Sequence, residues 1–229
     1  MARGEGVYED RDDAGAVLAA KLEEYRGRAT VVLAIPNGGV PVGLRVRNHL
    51  GADFGVLVVR KLHIPWNQEA GFGAVAPDGS VVFNEDLRQG LGLTPEEEGI
   101  VLEEERREIA RRMAAYRAHE LPPIRGRVAI LVDDGLASGS SMWAAANFVR
   151  RQSPRTLVVA VPTASESGAA LVSAAVDRLV CPSVRRGPVF AVADAYRHWY
   201  DLEDADVVAL LRNAGVLGGG RASPRQAKD

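Results

Sequence analysis

Apolar and polar positions follow two rhythms along the chain. Short runs of aliphatic and β-branched residues at 30–35 (TVVLAI), 55–60 (GVLVVR), 81–84 (VVFN), 127–132 (RVAILV), 156–162 (TLVVAVP) and 177–182 (DRLVCP) predict strands. Most lack an alternating polar face, as expected of strands covered on both sides. Other stretches repeat their apolar residues at three- and four-residue spacing. In residues 10–26, Ala14, Val17, Leu18 and Leu22 fall on one helical face behind Asp10, Asp12 and Asp13, which suit a helix start. Further helices are expected after the turn cluster at 36–41 as far as Leu50, over 94–119, 141–151 and 165–175, and from about Leu202. Thr94, Pro95 and Glu97 make a capping box with proline at the first helical position. The charged run EEERREIARR in that helix reads as a solvated face with i,i+4 pairs. This alternation predicts an α/β fold: an open, mainly parallel twisted sheet with helices on both faces.

One stretch breaks the rhythm. Residues 61–80, KLHIPWNQEAGFGAVAPDGS, are rich in Gly and Pro and read as a long loop with a possible short strand near Phe72 to Ala76. No repeat or sharp boundary divides the chain. A single domain over 1–214 is expected, with a small cap from 61–85 and both termini, followed by a disordered Gly-rich tail at 215–229. Composition narrows this picture. The 229 residues are 47% hydrophobic with net charge −2, which argues against the broad positive surface of a nucleic-acid binder. A single cysteine, Cys181, forbids an internal disulfide and fits a cytoplasmic home. The N-terminus reads as no signal peptide, and no apolar run is long enough to span a membrane.

The candidate chemistry centres on residues 128–141, VAILVDDGLASGSS. A buried strand ends in two carboxylates, Asp133 and Asp134, at the sheet edge where ligands of open α/β folds bind. Gly135, Leu136, Ala137, Ser138, Gly139, Ser140 and Ser141 follow, mostly small residues that let backbone N–H groups approach an anion at a helix start. Phosphate suits the loop and vicinal hydroxyls suit the carboxylates, so a ribose 5-phosphate satisfies both. A plain acidic turn with small capping residues is the alternative. Pro36, Asn37, Gly38 and Gly39 form a second turn able to face an anion, or a simple strand-to-helix connection. Arg60 and Lys61 end an apolar run and are either surface charges or anion contacts. His63, Trp66 and Glu69 are candidates to act on an incoming nucleophile, or are merely structural or exposed. Phe190, Tyr196, Trp199 and Tyr200 are candidates for a stacking surface, or simply pack the C-terminal part.

VAILVDDGLASGSSM closely resembles the phosphoribosyl-pyrophosphate signature of type I phosphoribosyltransferases. The order PNGG, VVRK, DDGLASGSS matches that family's layout, and residues of roughly 8 to 212, with the NEDL segment at 84–87, resemble its bacterial predicted members. The resemblance implies transfer of 5-phosphoribose from phosphoribosyl pyrophosphate to a base-like acceptor, with Mg2+ and as a homodimer. It implies ribose and indirect metal contacts for Asp133 and Asp134, a 5-phosphate cradle at 135–141, and pyrophosphate contacts for Asn37, Gly38, Gly39, Arg60 and Lys61. In the family the loop matching 36–39 often contains a strained peptide bond, and residues 62–80 would be a lid that excludes water. Related purine enzymes stack an aromatic on the base, a role for Phe190 or Tyr196. Those of the hypoxanthine–guanine type carry an aspartate where Ala137 stands, so the acceptor and its general base stay open. Two rivals differ in class. A binding-only regulator on the same fold is one; a P-loop kinase is the other, and it lacks its GxxxxGK[ST] run.

Overall fold

The computed structural model describes residues 8–118, 121–187 and 190–217, with only the backbone for 68–70. Helix α1 (Arg11–Lys21) starts at Asp10, whose side chain accepts from the N–H groups of Asp12 and Asp13. Strand β1 (Thr30–Ala34), helix α2 (Gly39–Leu50) and strand β2 (Asp53–Val56) follow. After the cap come β6 (Val128–Val132), α5 (Ser140–Arg151), β7 (Thr156–Ala160), a short β8 (Thr163–Ser165), α6 (Glu166–Ser173), β9 (Arg178–Val180), β10 (Ser183–Arg185) and α7 (Asp204–Asn213). The five-stranded sheet runs β2-β1-β6-β7-β9, parallel throughout, while β8 and β10 form a separate parallel pair.

Both faces of the sheet are covered, which explains the unbroken apolar runs. Val31, Leu33, Ala129, Leu131, Leu157 and Val159 pack under α5 and α6. Their alternates Val32, Ile130 and Val158 pack against Leu18 of α1, Leu22 just after it, and Val42 and Val46 of α2. The chain goes from β1 outward to β2, then returns to place β6 on the other side of β1. That reversal opens a crevice at the C-terminal ends of β1 and β6, the usual ligand position in such sheets.

The cap corrects the expected loop. Residues 61–80 are mostly strand: β3 (Arg60–Ile64), β4 (Asn67–Val75) and β5 (Val81–Phe83) form an antiparallel sheet. The glycines that suggested a loop mark close approach instead. A Cβ on Gly71 would sit 2.3 Å from Cγ of Lys61, and one on Gly73 would sit 2.6 Å from the Val82 carbonyl oxygen. The apolar run at 55–60 is likewise split. Pairing with β1 ends at Val56, Leu57 N–H still donates to the Ala34 carbonyl, and Arg60 opens the cap sheet. A short α3 (Glu85–Leu91), not expected from the sequence, leads to α4 (Pro95–Tyr116). Thr94 and Glu97 make the expected capping box. Residues 119 and 120 lie outside the described residues.

Leu62, Phe72 and Val75 pack with Val101, Ile109 and Tyr116 of α4 and with Val207 and Leu211 of α7. Val216 and Leu217 join this cluster, so packed structure extends three residues beyond the expected limit at 214. Residues 218–229 of the expected tail lie outside the described residues. Among the described residues no helix is long and apolar enough to cross a membrane.

Candidate active site

Four helices, α1, α3, α4 and α6, receive a side-chain cap from Asp10, Asn84, Thr94 and Ser165. Helices α2 and α5 receive none among the described residues. In α2 the Gly39 and Val40 N–H groups donate to the Ile35 and Asn37 carbonyls, and in α5 the Ser140 N–H lies 3.4 Å from Ser138 Oγ, so what each start offers an anion is chiefly its helix dipole. Both helices start directly after β1 and β6, the two strands beside the crevice.

The loops before these helices press together. A Cβ on Gly38 would fall 1.8 Å from Oδ2 of Asp134, and one on Gly39 would fall 2.7 Å from the Val132 carbonyl oxygen. Only glycine fits either place. Pro36 and Asn37 are joined by a cis peptide bond. The Asn37 side chain, however, faces away from the crevice. Its Nδ2 donates to the Leu202 carbonyl at 2.6 Å, and its Oδ1 accepts from Tyr116 Oη at 3.0 Å and Arg112 Nη1 at 3.2 Å. The Asn37 side chain is thereby held by partners within the protein.

A cleft of about 230 Å³ is lined by Lys61, Asp133 and residues 135–142. Gly139 takes φ +78°, and a Cβ there would stand 2.9 Å from the Gly168 carbonyl oxygen. Ser138 and Ser140 place their Oγ atoms 3.1 Å apart at the helix start. Ser141 is half-buried beside them, and Ala137 is exposed. Leu136 lines the cleft, but its side chain is buried. Its N–H donates to the Thr163 carbonyl and its carbonyl accepts from Ser165 N–H, so it pins the loop. Ser165 Oγ donates to the Ala137 carbonyl at 2.5 Å, a second pin. Against Gly135 lie Val192 and Thr163.

The acidic pair is asymmetric. Asp134 Oδ2 accepts from Arg11 Nε at 2.8 Å. Arg11 is buried, lies 3.9 Å from the Trp199 ring centroid, and donates through Nη1 to the Tyr200 carbonyl at 2.8 Å. Among the described residues Asp133 has no such cation, and its Oδ1 accepts from Asp134 N–H at 2.8 Å. Burial pushes the Asp133 carboxyl well above its usual range, and the neighbouring Asp134 charge adds to this. Burial also raises Asp134, with Arg11 opposing it. The carboxyl that faces the cleft is therefore Asp133. Arg11 carried no motif of its own, and only its place in the first turn of an amphipathic helix stood in the sequence.

Other expected residues separate. Lys61 reaches the cleft lined by residues 135–142, whereas Arg60 does not line it. Arg60 Nε donates to Glu105 Oε2 at 2.6 Å. Glu105 also faces His63 Nδ1 at 3.0 Å and is buried. The charged face of α4 is thus not wholly solvated, and Glu105 was hidden within an acidic run. Trp66 is 65% exposed at the β3–β4 turn, and the Glu69 side chain lies outside the described ones. Tyr196 is buried, donates from Oη to the Asp134 carbonyl at 2.5 Å, and packs against Tyr8 and Trp199. Its hydroxyl thus braces the acidic turn. Phe190 is half-buried, two residues before Val192.

The chain matches the family model described as phosphoribosyl transferase domain over residues 8–195. It is 37% identical over 209 residues to Rv0571c of Mycobacterium tuberculosis, provisionally named a phosphoribosyl transferase, covering 91% of this chain and 47% of that protein. MT0597 from another strain of that organism matches equally. The chain thus spans about half the length of the curated relatives it matches. The crystal structure of TT1426 from Thermus thermophilus superposes with a TM-score of 0.74 at 35% identity, covering 90% of this chain and 98% of that one.

Proposed function

The chain belongs to the phosphoribosyltransferase family, and on that premise we propose that it transfers 5-phosphoribose from phosphoribosyl pyrophosphate to a nitrogenous acceptor, a purine, pyrimidine or related base, with release of pyrophosphate. The observation that carries this reading is the pair of uncapped helix starts, α2 and α5, on either side of the acidic turn. They supply two anion cradles, and a ligand with phosphate at one end and pyrophosphate at the other fills both.

In this reading the 135–141 backbone, the serine hydroxyls and the α5 N-terminus hold the 5-phosphate. Asp133 accepts from the ribose hydroxyls, while Asp134, held by Arg11, fixes the turn. The backbone of 37–39 and the Lys61 ammonium receive charge as pyrophosphate departs. Arg60 enters this reading only through the neighbouring cavity it shares with Lys61. Positioning and electrostatics do most of the work, with no protein nucleophile.

Magnesium suits the donor set. The cleft offers the Asp133 carboxylate, with Asp134 next to it in sequence and held by Arg11, and, among the described residues, no cluster of three or more His, Cys, Asp or Glu able to hold a metal. Mg2+ is ordinarily held by one or two carboxylates, waters and substrate phosphates, so Asp133 and Asp134 would hold it indirectly. When bound it neutralises the leaving group. A cytoplasmic homodimer completes the reading; the half-buried Cys181, its thiol pushed up to about 11 by burial, suits a reducing compartment.

The test is pyrophosphate release from phosphoribosyl pyrophosphate and Mg2+ across adenine, hypoxanthine, guanine, xanthine, uracil and orotate. Release that depends on one acceptor supports the reading and identifies the substrate. Tight donor binding without release under any acceptor replaces it with a binding-only regulator.

A further inference from the structure

We propose that the end of the sheet opposite the crevice carries a second anion site, formed by Arg28 and Arg155 on either side of Gly126 and suited to a phosphate group on a small molecule. It stands independently of the transferase reading. Strands β1, β6 and β7 are parallel and start in line, with Thr30, Val128 and Thr156 as register partners. Each is five residues long, so their N-terminal ends lie roughly 16 Å from the crevice at their C-terminal ends. A cavity of about 280 Å³ opens at the N-terminal ends, lined by Arg28, Ala29, Gly126, Val128, Arg155 and Thr156.

The chain enters β1 and β6 through the same tripeptide. Arg26, Gly27 and Arg28 precede β1, and Arg125, Gly126 and Arg127 precede β6. The two turns sit side by side, since Val128 N–H donates to the Ala29 carbonyl. Gly126 takes φ +72°, and nothing lies within 4 Å of a Cβ added there. Strand β6 runs between β1 and β7. The missing side chain of Gly126 therefore leaves space open between Arg28, leading into β1, and Arg155, leading into β7.

The arginines gathered here divide by their partners. Arg26 pairs with Glu23 at 3.3 Å. Arg127 donates to the Pro123 and Thr30 carbonyls and pairs with Asp53 at 2.7 Å. Glu24 is taken by Arg178 at the start of β9. Arg28, Arg125 and Arg155 have no ion pair among the described residues; the Arg28 guanidinium lies 5.9 Å from the Tyr25 ring centroid. Three exposed cations without a carboxylate thus share one end of a chain whose net charge is −2. Such a cluster makes a local positive potential, and an anion between the cations relieves their repulsion. Guanidinium forks match phosphate oxygens in pairs, which favours phosphate over a monatomic anion. The cavity volume is at the small end for ligand sites. It fits one phosphate on a small body, whereas a nucleic-acid strand needs a long positive track.

The experiment titrates isotope-labelled full-length protein with inorganic phosphate and, separately, with adenosine 5′-monophosphate at low ionic strength, followed by amide NMR. The amides of Ala29, Gly126 and Thr156 report this site, and those of Gly139 and Ser140 report the crevice. In the native protein at least one probe is expected to shift the first set saturably. The double variant Arg28→Gln, Arg155→Gln should weaken that response at least about tenfold and leave the crevice amides responding as before. The control Arg107→Gln, Arg212→Gln removes two other exposed arginines that have no ion pair among the described residues, and should leave the first set unchanged. Equal affinity for the two probes supports a site for the phosphate group alone; tighter binding of the nucleotide supports one that also holds its body. No saturable shift at Ala29, Gly126 and Thr156 with either probe overturns the proposal, as does an equal loss in the control. A single-stranded oligonucleotide that shifts this set more tightly than both probes overturns it in favour of a nucleic-acid surface. Should the double variant melt early, Arg155→Gln alone decides: weaker binding at the first set supports the site, and native affinity rejects it.

Discussion

Asp133 and Asp134 are neighbours of identical chemistry in different surroundings. Arg11 gives Asp134 a buried ionic partner, whereas Asp133 faces the cleft with only a backbone donor among the described residues. Burial, then the Asp134 charge, raises the folded-state affinity of Asp133 for a proton above the ordinary value of 3.8. Below about pH 3.8 the carboxyl is neutral in both folded and unfolded chains, and the stability tied to its proton is fully present. As pH rises through the raised folded value, the buried group must ionise and that stability is lost. Asp133→Asn removes the charge at every pH. Its melting temperature without ligand should exceed that of the native protein near neutrality, with the gap closing toward pH 3.8, while donor affinity falls. Thermal melts across pH check this, and a gap that does not vary with pH would remove Asp133 as its source. A site residue that costs stability until its ligand arrives is a common trade between function and folding.

At the scale of elements, helix signals were the most legible. Thr94, Pro95 and Glu97 announce α4, and Asp10 announces α1, because capping uses local chemistry that a short stretch of sequence contains. The cap sheet was hidden because its glycines answer to contacts with residues further along the chain, such as Gly73 against Val82. The loop at 135–141 was legible as a strand-to-helix turn beside a cleft because all its parts are contiguous. Arg11, Glu105 and the inward turn of Asn37 were not, since each role depends on a partner 42 or more positions away. The same distinction separates two glycines. Gly99 lies within α4 with nothing within 4 Å of an added Cβ, whereas Gly139 needs its positive φ and crowds Gly168. Gly99→Ala should stabilise by about 0.5–1 kcal/mol through lost unfolded-state freedom. Gly139→Ala should destabilise by more than about 1 kcal/mol. Urea denaturation of both variants tests the pair, and equal effects would contradict the backbone geometry assigned to the 135–141 loop.

At the scale of the whole molecule, the site gathers its parts from nearly the full length of the fold. Residue 11 holds 134, 38 abuts 134, 61 reaches the 135–142 loop, and 196 and 200 brace the turn from the C-terminal side. Asn37 ties the first loop to α4 through Tyr116 and to α7 through Asp204. No single segment can form the site alone, so a ligand that fits it binds the folded chain and not the unfolded one. Such a ligand, at a hundred times its Kd, stabilises by about 2.7 kcal/mol. For a chain of this size each kcal/mol raises Tm by roughly 2–4 °C, so phosphoribosyl pyrophosphate with Mg2+ should raise it by roughly 5–10 °C. Inorganic phosphate alone, reaching only one cradle, should shift it less at the same concentration. Differential scanning fluorimetry with the two ligands, with and without Mg2+, makes the comparison. Equal shifts would mean that a single anion site accounts for binding, and that the two helix starts do not act on one ligand.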